Sequence, residues 1–209
     1  MIYDTHNPEV INFLFQEAKP GVRILDVGCG TGKLGKLIKS KINCYIEGIE
    51  IDPEAAKIAQ KGYDKIIEIN LEELIAQKKL LGAIGKYDII ILGDILEHIR
   101  QPDELLRSCQ DVLKDNGYLI ASIPNIANWM IRIKLLFGIF NYSGGILDEG
   151  HVRFFTYKTA RRLLQKNGYS IISVTNNNHT IPIKVLGRIW KRLFAFQFVF
   201  KCRRNIYDE

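Results

Sequence analysis

The feature that most constrains this chain is an apolar strand that ends in a tight glycine loop and opens into a helix. The segment reads ILDVGCGTG over residues 24–32, with glycines at three alternate positions. Glycine lets the backbone turn sharply and approach a ligand closely. The loop therefore predicts the first strand-to-helix connection of an α/β domain, with a nucleotide-like ligand beside it.

The spacing of this loop does not match two common phosphate-binding loops. A P-loop needs a glycine where Val27 stands and a hydroxyl residue where Leu34 stands. A dinucleotide fingerprint needs G-x-G-x-x-G, whereas the glycines here run G-x-G-x-G and Lys33 takes the place of the third. An NAD-dependent oxidoreductase is therefore disfavoured.

Two carboxylates favour a cationic ligand. Asp26 comes just before the glycines, where it would repel a pyrophosphate and attract an ammonium group. Glu50, at the end of the next predicted strand, can accept hydrogen bonds from both hydroxyls of a ribose. S-adenosylmethionine combines a ribose, an amino acid and a sulfonium with no phosphate, and it fits both acids.

Apolar periodicity along the chain predicts alternating strands and helices. Predicted strands cover 23–27, 44–49, 65–69, 87–92, 118–123 and 170–175, with a last apolar alternation at 193–200. Predicted helices cover 33–40, 53–61, 72–78, 102–114 and 157–167, and a turn is predicted at Asn116-Gly117. This order predicts a Rossmann-like, doubly wound, seven-stranded sheet, mostly parallel with an antiparallel last strand.

Residues 125–155 interrupt this alternation. We expect them to form a helical cap on the substrate side of a single domain spanning residues 1–209, with a helix at 129–140. That helix is too short to cross a bilayer. It carries Arg132 and Lys134 among apolar residues and could instead lie on a membrane surface.

Residues 25–32 resemble the first motif of class I S-adenosylmethionine-dependent methyltransferases, in particular the type 11 and type 23 branches. Further matches follow in order at 48–52, 87–94 and 113–119, so the resemblance covers roughly residues 20–175. It implies S-adenosylmethionine as cofactor. The cofactor-binding residues that it implies are Asp26, Gly28, Cys29, Gly30, Glu50, Ile51, Asn70, Leu71, Gly93 and Asp94.

The resemblance also assigns parts of the cofactor to these residues. Asp26 and the loop glycines would hold the methionine moiety, Glu50 the ribose, and Ile51 would pack on the adenine. Asn70 stands where many relatives have an aspartate at the adenine edge. Its side-chain carbonyl oxygen can still accept a hydrogen bond from the adenine amino group.

Methyl transfer to a hydroxyl needs an aligned acceptor and a base. The candidate catalytic residues are His98 and His151. Helix capping or packing explains His98 about as well, and a hydrogen bond that pins the cap is slightly favoured over catalysis for His151. The segment DILEH at 94–98 resembles the branch of ubiquinone-biosynthesis O-methyltransferases, where acids and a histidine at these places can also bind a divalent metal. Three ligand types in five residues are common on polar helix starts, so we predict no metal.

Candidate contacts to the acceptor lie in and beside the cap. They are Asn125, Trp129, Arg132 and Arg153. Relatives with such a cap often accompany glycosyltransferases or act on quinone precursors, which implies a small-molecule, sugar, polysaccharide or lipid-linked acceptor, methylated at oxygen. The alternative is a non-catalytic S-adenosylmethionine-binding protein or a membrane-surface accessory protein.

The charge of the chain bears on its possible partners. The net charge is +6, and its excess lies late in the chain, in Lys184, Arg188, Lys191, Arg192, Lys201, Arg203 and Arg204. These residues predict a solvated face with possible peripheral membrane contact. An Asn-Pro-Pro-Tyr motif is absent after strand four, which argues against methylation of a base amino group in DNA, and only the charge suggests a nucleic-acid substrate. The sequence leaves the oligomeric state open.

The cysteines and the amino terminus predict a cytoplasmic location. Cys29, Cys44, Cys109 and Cys202 are far apart and form no CxxC pair, which is typical of reduced thiols. Residues 1–19 lack the uninterrupted apolar stretch of a signal peptide.

Overall fold

The computed structural model describes residues 7–77, 85–142, 144–177 and 190–205. Their strands are β1 (Val22–Val27), β2 (Cys44–Glu50), β3 (Lys65–Glu68), β4 (Tyr87–Gly93), β5 (Leu113–Pro124), β6 (Tyr169–Asn177) and β7 (Gln197–Arg204). Their α-helices are α1 (Pro8–Glu17), α2 (Lys33–Lys41), α3 (Pro53–Ala59), α4 (Leu71–Ala76), α5 (Pro102–Val112), α6 (Trp129–Leu136), α7 (Tyr157–Lys166) and α8 (Lys191–Phe194). A 3₁₀ turn covers Leu96–His98.

The seven strands form one sheet in the order β3-β2-β1-β4-β5-β7-β6. Strands β1 to β5 pair in parallel, and β7 pairs antiparallel with both β5 and β6. Strands β1 and β4 are almost wholly buried and mostly apolar, as is typical when helices cover both faces of a sheet. The predicted fold is thus confirmed, including the antiparallel last strand.

Helix α1 was not predicted from the sequence. Its start carries a recognisable signal, because Asn7 accepts a hydrogen bond from the Glu9 amide at 3.0 Å and Pro8 occupies the first turn. The helix buries Val10, Phe13 and Leu14 against the sheet. Residues 1–6, which belong to the segment 1–19 where the sequence predicts no signal peptide, lie outside the described residues.

Strand β5 begins earlier than predicted. Its pairing with β4 passes from Leu113 opposite Tyr87 to Tyr118 opposite Ile89, so residues 114–117 bulge within the strand. The predicted Asn116-Gly117 turn therefore lies inside a strand rather than before one. Helix α5 correspondingly ends at Val112, two residues before the predicted end.

The last strand does not cover the residues 193–200 that the apolar alternation predicts for it. Residues 191–194 form α8, and the strand follows at Gln197–Arg204 instead of 193–200. Phe198, Val199 and Phe200 are all fully buried, because β7 lies between two strands and is covered on both faces. A strand buried on both faces loses the alternation on which the prediction relied.

Helix α6 is shorter than predicted and ends at Leu136 rather than at 140. Gly138 has a φ of +68°, and the amides of Gly138 and Ile139 bond back to Leu135 and Lys134. This is a Schellman motif, which ends a helix at a left-handed glycine. The ends of the predicted cap meet, because the Ile126 amide donates to the Phe155 carbonyl at 2.9 Å.

Lys201 departs from the solvated face that the sequence predicts for the carboxyl-terminal basic residues, whereas Arg192 and Arg203 are exposed. Lys201 is 7% exposed and binds Glu17 at 2.7 Å. Arg203 donates to the Tyr118 hydroxyl, and Arg204 lies 3.9 Å from Asp115. Lys184, Arg188 and the side chain of Lys191 lie outside the described part of the chain.

The four cysteines are unpaired thiols, as predicted. Across the described ranges, no helix is long and apolar enough to cross a membrane.

Candidate functional site

A cavity of about 460 Å³ opens at the carboxyl ends of β1, β2 and β4. Ligands of doubly wound sheets bind at this edge. All ten residues predicted to bind the cofactor line this cavity, and His98 lines it as well. The fold therefore brings together what the sequence distributes over residues 26–98.

The glycine loop forms the floor of the cavity. Gly28 has a φ of +76°, and a β-carbon there would lie 2.9 Å from the Ile95 side chain. At Gly32, with a φ of +79°, a β-carbon would lie 2.7 Å from the Ala59 backbone. Both positions need glycine for the backbone angle and for the close approach.

Glu50 ties this loop to the end of β2. One carboxylate oxygen accepts from the Gly30 amide at 2.8 Å, and the other accepts from the amides of Ile51 and Asp52 at 2.9 and 3.0 Å. A carboxylate has about four acceptor positions, so hydrogen bonds from a ribose remain available. Ile51 is 59% exposed at the cavity and offers an apolar surface on which a base can pack.

Asp26 is 3% exposed and accepts a hydrogen bond from the Tyr63 hydroxyl at 2.5 Å. Burial raises the pKa of Asp26 to about 6; the Tyr63 hydrogen bond lowers it and the Glu50 charge adds to the rise. The Tyr63 oxygen also accepts from the Gly35 amide at 3.1 Å, which ties Asp26 to α2. Sequence reasoning missed Tyr63, because no local motif includes it.

Asn70 has a structural role besides the predicted one. Its side-chain oxygen accepts from the Glu72 amide at 2.9 Å and so caps α4. An amide oxygen has two acceptor positions, so the predicted hydrogen bond from the adenine amino group stays a prediction. Asn70 still lines the cavity next to Leu71.

His98 lies on the other side of the cavity, in the 3₁₀ turn after β4. Its Nδ1 lies 2.9 Å from the Gly150 carbonyl oxygen. Because a carbonyl only accepts, Nδ1 carries the proton in the neutral ring and Nε2 carries the lone pair. His98 therefore has the tautomer that a base at Nε2 requires.

His151 stands behind His98 rather than on the cavity wall. It is 8% exposed, its Nδ1 lies 3.0 Å from the Ile146 carbonyl oxygen, and its ring centre is 4.8 Å from that of His98. Burial lowers the pKa of His151, which favours the neutral ring. Its placement supports packing behind His98 more than direct contact with an acceptor.

Glu97 completes a buried cluster with the two histidines. It is 1% exposed, and neither carboxylate oxygen has a hydrogen-bond partner in the described residues. One oxygen lies 4.0 Å from His151 Nε2. Burial, with the Asp94 charge second, holds the pKa of Glu97 well above its usual value.

The ligand atoms of Glu97, His98 and His151 lie within 4.8 Å of one another, close enough to share a metal ion. This set differs from the acids and histidine of the DILEH segment, since His151 takes the place of Asp94. The sequence-based expectation that no metal binds stays a prediction.

The predicted acceptor contacts are only partly in position. Asn125 is fully buried, and its amide donates to Ala195 and accepts from Ala127, so it holds the sheet to the cap. The Trp129 indole nitrogen is buried without a hydrogen-bond partner in the described ranges. The prediction that Asn125 contacts the acceptor is therefore not supported by its position.

Both predicted acceptor arginines are exposed and held by main-chain carbonyls. Arg132 donates to the Ala127 carbonyl at 2.8 Å, and Arg153 donates to the Arg100 carbonyl at 2.6 Å. The amides of Val152 and Arg153 also bond the Glu97 carbonyl. The last part of the cap is thus fastened to the 3₁₀ turn that carries His98.

The fold and the cavity define a nucleoside-binding α/β domain, and comparison with known proteins identifies its family. Residues 3–174 match the family described as Methyltransferase domain. The chain belongs to this family.

Curated relatives include ubiquinone biosynthesis O-methyltransferases. The protein from Shewanella pealeana is 30% identical over 122 residues, which cover 57% of this chain and 51% of that protein. The protein from Burkholderia pseudomallei is 24% identical over 173 residues, covering 80% of this chain and 73% of that protein. The chain thus spans about half the length of the first of these relatives.

Solved structures share the fold. Magnesium protoporphyrin IX methyltransferase from Synechocystis, with bound SAH (S-adenosylhomocysteine), has a TM-score of 0.66 at 20% identity, covering 95% of this chain and 81% of that one. An S-adenosylmethionine-dependent methyltransferase from Mesorhizobium loti has a TM-score of 0.67 at 18% identity, covering 94% and 96%. The predicted family and S-adenosylmethionine as its cofactor are confirmed.

The cavity fits this cofactor on its own geometry. Its volume lies in the usual range for small-molecule sites, about 300 to 1,000 Å³. Asp26 offers a buried carboxylate for an ammonium group, Glu50 offers acceptor positions for a ribose, and the positive φ of Gly28 favours a residue without a side chain beside the ligand.

The raised pKa of Asp26 predicts a pH-dependent affinity for SAH. If the ammonium of SAH binds the ionised carboxylate, as the resemblance implies, affinity should be constant above about pH 7 and fall as pH drops below about 6, approaching tenfold per unit. Calorimetric titration between pH 5 and 8 measures this dependence. In the Asp26→Asn variant the profile should be flat, and a flat wild-type profile would contradict the proposed role of Asp26.

The same raised pKa of Asp26 predicts that the stability of the unliganded protein falls as pH rises, which is opposite to the trend in SAH affinity. Folded Asp26 keeps its proton up to about pH 6, whereas unfolded aspartate releases it near about pH 3.9. The contribution of Asp26 to folding is therefore fully present at low pH and declines as pH rises through this window. Comparing wild type with Asp26→Asn in denaturant unfolding isolates this contribution.

Proposed function

We propose that this protein transfers a methyl group from S-adenosylmethionine to an oxygen atom of an acceptor, and that the acceptor is lipid-linked. The observation that carries the acceptor class is an exposed apolar surface that continues from the cap to His98. Relatives named as O-methyltransferases support oxygen as the methylated atom. A small molecule or a sugar without a lipid is the competing acceptor.

The apolar surface, here called the cap surface, belongs to α6 and the residues after it. It consists of the exposed side chains of Met130, Ile133, Leu135, Leu136, Phe137, Ile139, Phe140 and Tyr142. Leu136 and Phe137 are 81% and 74% exposed, and Ile131 is the one fully buried side chain in α6. A helix with apolar residues all around normally lies in a core or against a membrane.

The charge of this segment fits an anionic lipid surface. Residues 129–142 include Arg132 and Lys134 and no acidic residue. Basic residues beside an exposed apolar face are typical of helices that lie in the headgroup region. Membrane contact would place the protein at the cytoplasmic face, where unpaired thiols persist.

A row of aromatic rings connects the cap surface to the cavity. Ring centres are 6.2 Å apart for Phe140 and Phe154, 6.3 Å for Phe154 and His151, and 4.8 Å for His151 and His98. This row links the cap surface to His98, which lines the cavity, and its outer members Phe140 and Phe154 are exposed. A lipid-linked acceptor bound along these two rings would bring its hydroxyl toward His98.

The chain's own residues can then prepare the acceptor. S-adenosylmethionine supplies a methyl group that its sulfonium already activates. His98 Nε2 takes the proton of the acceptor hydroxyl, while Gly150 holds the ring through Nδ1. The loop glycines and Glu50 hold the nucleoside in place, so the reacting atoms need only be aligned.

Vesicle co-sedimentation tests the membrane part of the proposal. Wild-type protein should pellet with vesicles of phosphatidylcholine and phosphatidylglycerol and much less with phosphatidylcholine alone. A Leu136→Asp/Phe137→Asp variant should lose binding at least tenfold, because two charges would enter the acyl region. Ile58, 44% exposed on α3, provides the matched control Ile58→Asp, which should bind like wild type.

Transfer of labelled methyl from S-adenosylmethionine tests the acceptor class. Label should appear in the organic-solvent extract of cell membranes incubated with wild-type protein, and not with the His98→Ala variant. Label confined to the water-soluble fraction would contradict a lipid-linked acceptor. Cofactor binding without transfer to either fraction would favour the non-catalytic alternative.

A further inference from the structure

Asp94 has an unusual backbone conformation at the edge of the cavity. Its φ is +53°, and it is the one non-glycine residue with positive φ in the described ranges. Such a conformation is unfavourable for a residue with a β-carbon and occurs often at functional sites. It lies just past β4, which pairs with β1 beside the glycine loop.

Only one oxygen of the Asp94 carboxylate is held by the protein. Oδ1 accepts from the Ser122 hydroxyl at 2.8 Å and from the Gln197 amide. Oδ2 accepts no hydrogen bond from the described residues, and Asp94 lines the cavity. The second oxygen is therefore available to a ligand.

Gln197 connects Asp94 to the amino-terminal helix. It is 6% exposed at the start of β7, and its side-chain oxygen accepts from the Asn7 amide at 2.5 Å. Asn7 uses its own oxygen to cap α1 through the Glu9 amide. A chain of hydrogen bonds thus runs from α1 through the sheet to the cavity.

The strand order indicates which part of the cofactor meets Asp94. Glu50 ends β2 and Asp26 lies near the end of β1, so these residues would hold the ribose and the methionine moiety over the two strands. The sulfonium joins these two parts, and the next strand on the acceptor side is β4. Asp94 follows β4 directly.

We propose that Gln197 and Asn7 are positioning residues that hold the Asp94 carboxylate with Oδ2 toward the positive, methyl-bearing centre of the cofactor. This inference rests on the proposed function. A carboxylate at this point favours a cation over the neutral thioether of the product. The two positioning residues act through Asp94 and touch neither cofactor nor acceptor.

Two cofactor analogues provide the readout without any acceptor. Sinefungin carries an ammonium group where S-adenosylmethionine has its methylsulfonium, whereas SAH has a neutral thioether there. Calorimetry should show that wild type prefers sinefungin over SAH. In Asp94→Asn, which keeps an oxygen for Ser122 and Gln197, this preference should fall about tenfold.

The positioning variants should lower the same preference. Gln197→Glu removes the amide that donates to Asp94, and Asn7→Asp keeps the cap of α1 but removes the amide that donates to Gln197. Both should reduce the sinefungin preference by about threefold or more. Thr175→Val is the matched control, because it removes a different bond between α1 and the sheet, the one from Thr175 to Glu9 at 3.1 Å, which does not lead to Asp94.

The outcomes separate this inference from the proposed function. The inference is overturned if wild type shows no preference for sinefungin, if Gln197→Glu and Asn7→Asp keep the wild-type preference, or if Thr175→Val lowers it equally. In these cases SAH binding leaves the proposed function standing. Wild type that binds neither analogue would overturn both. Circular dichroism melting identifies variants that fail to fold. If the positioning variants fail to fold, the inference is judged on the sinefungin preference of Asp94→Asn, which overturns it if it equals that of wild type.

Discussion

Replacing Glu50 with alanine is expected to weaken SAH binding about 100-fold, which corresponds to about 2.7 kcal/mol. The carboxylate accepts hydrogen bonds from the amides of Gly30, Ile51 and Asp52, so its loss frees the glycine loop. The loss also removes the acceptor that a ribose would use. Isothermal titration calorimetry with SAH measures the combined effect.

The neighbouring strand offers a matched control. Glu68 pairs with Glu50 in the β2–β3 register but is exposed and does not line the cavity. Glu68→Ala should bind SAH within about twofold of wild type, since exposed substitutions change energies by about 0.5 kcal/mol or less. If the two variants lose affinity equally, Glu50 has no special role in the site.

Replacing Gly35 with alanine is expected to destabilise the protein by about 2 kcal/mol. Alanine in a helix normally stabilises by up to about 1 kcal/mol relative to glycine, so the expected sign is reversed. The reason is steric, because a β-carbon at Gly35 would lie 2.3 Å from the Tyr63 ring and 2.8 Å from the Gly62 carbonyl oxygen. Denaturant unfolding gives the change in free energy.

The same substitution should also weaken SAH binding, because it displaces the tyrosine that donates to Asp26. Ser40→Ala, at an exposed position of the same helix, should leave both stability and binding nearly unchanged. A Gly35→Ala protein that is more stable than wild type would show that α2 does not pack against Tyr63 as described.

The cofactor side of the site could be predicted because its chemistry is local in sequence. The glycine loop, with Asp26 just before it, lies within nine residues, and Glu50 ends the next strand. Parallel strands then bring their carboxyl ends to one edge of the sheet. The roles assigned to individual residues within the cavity remain predictions.

The residues that sequence reasoning missed act over long distances in the chain. Tyr63 reaches Asp26 across 37 positions, and Asn7 reaches Gln197 across 190. No periodicity or motif indicates such pairs, because only the packed sheet brings them together. Helix α1 is different, since Asn7-Pro8-Glu9 carries a local start signal that could have been recognised.

The acceptor side was harder to predict because polar side chains there also hold the fold. The sequence predicts Asn125 as an acceptor contact, yet its buried side-chain amide binds the main chain of Ala195 and Ala127. Sequence alone does not distinguish a buried structural amide from one that faces a substrate. The cap surface was easier to anticipate, because 129–140 combines apolar and basic residues without an acid.

Calorimetric titration of the wild-type protein with SAH and, separately, with NAD tests the central claim most directly. The geometry of Asp26, Glu50 and the glycine loop predicts saturable binding of SAH and none of NAD, because a pyrophosphate would face the Asp26 carboxylate. Binding of NAD in preference to SAH, or binding of neither, would contradict the assignment of this cavity to S-adenosylmethionine.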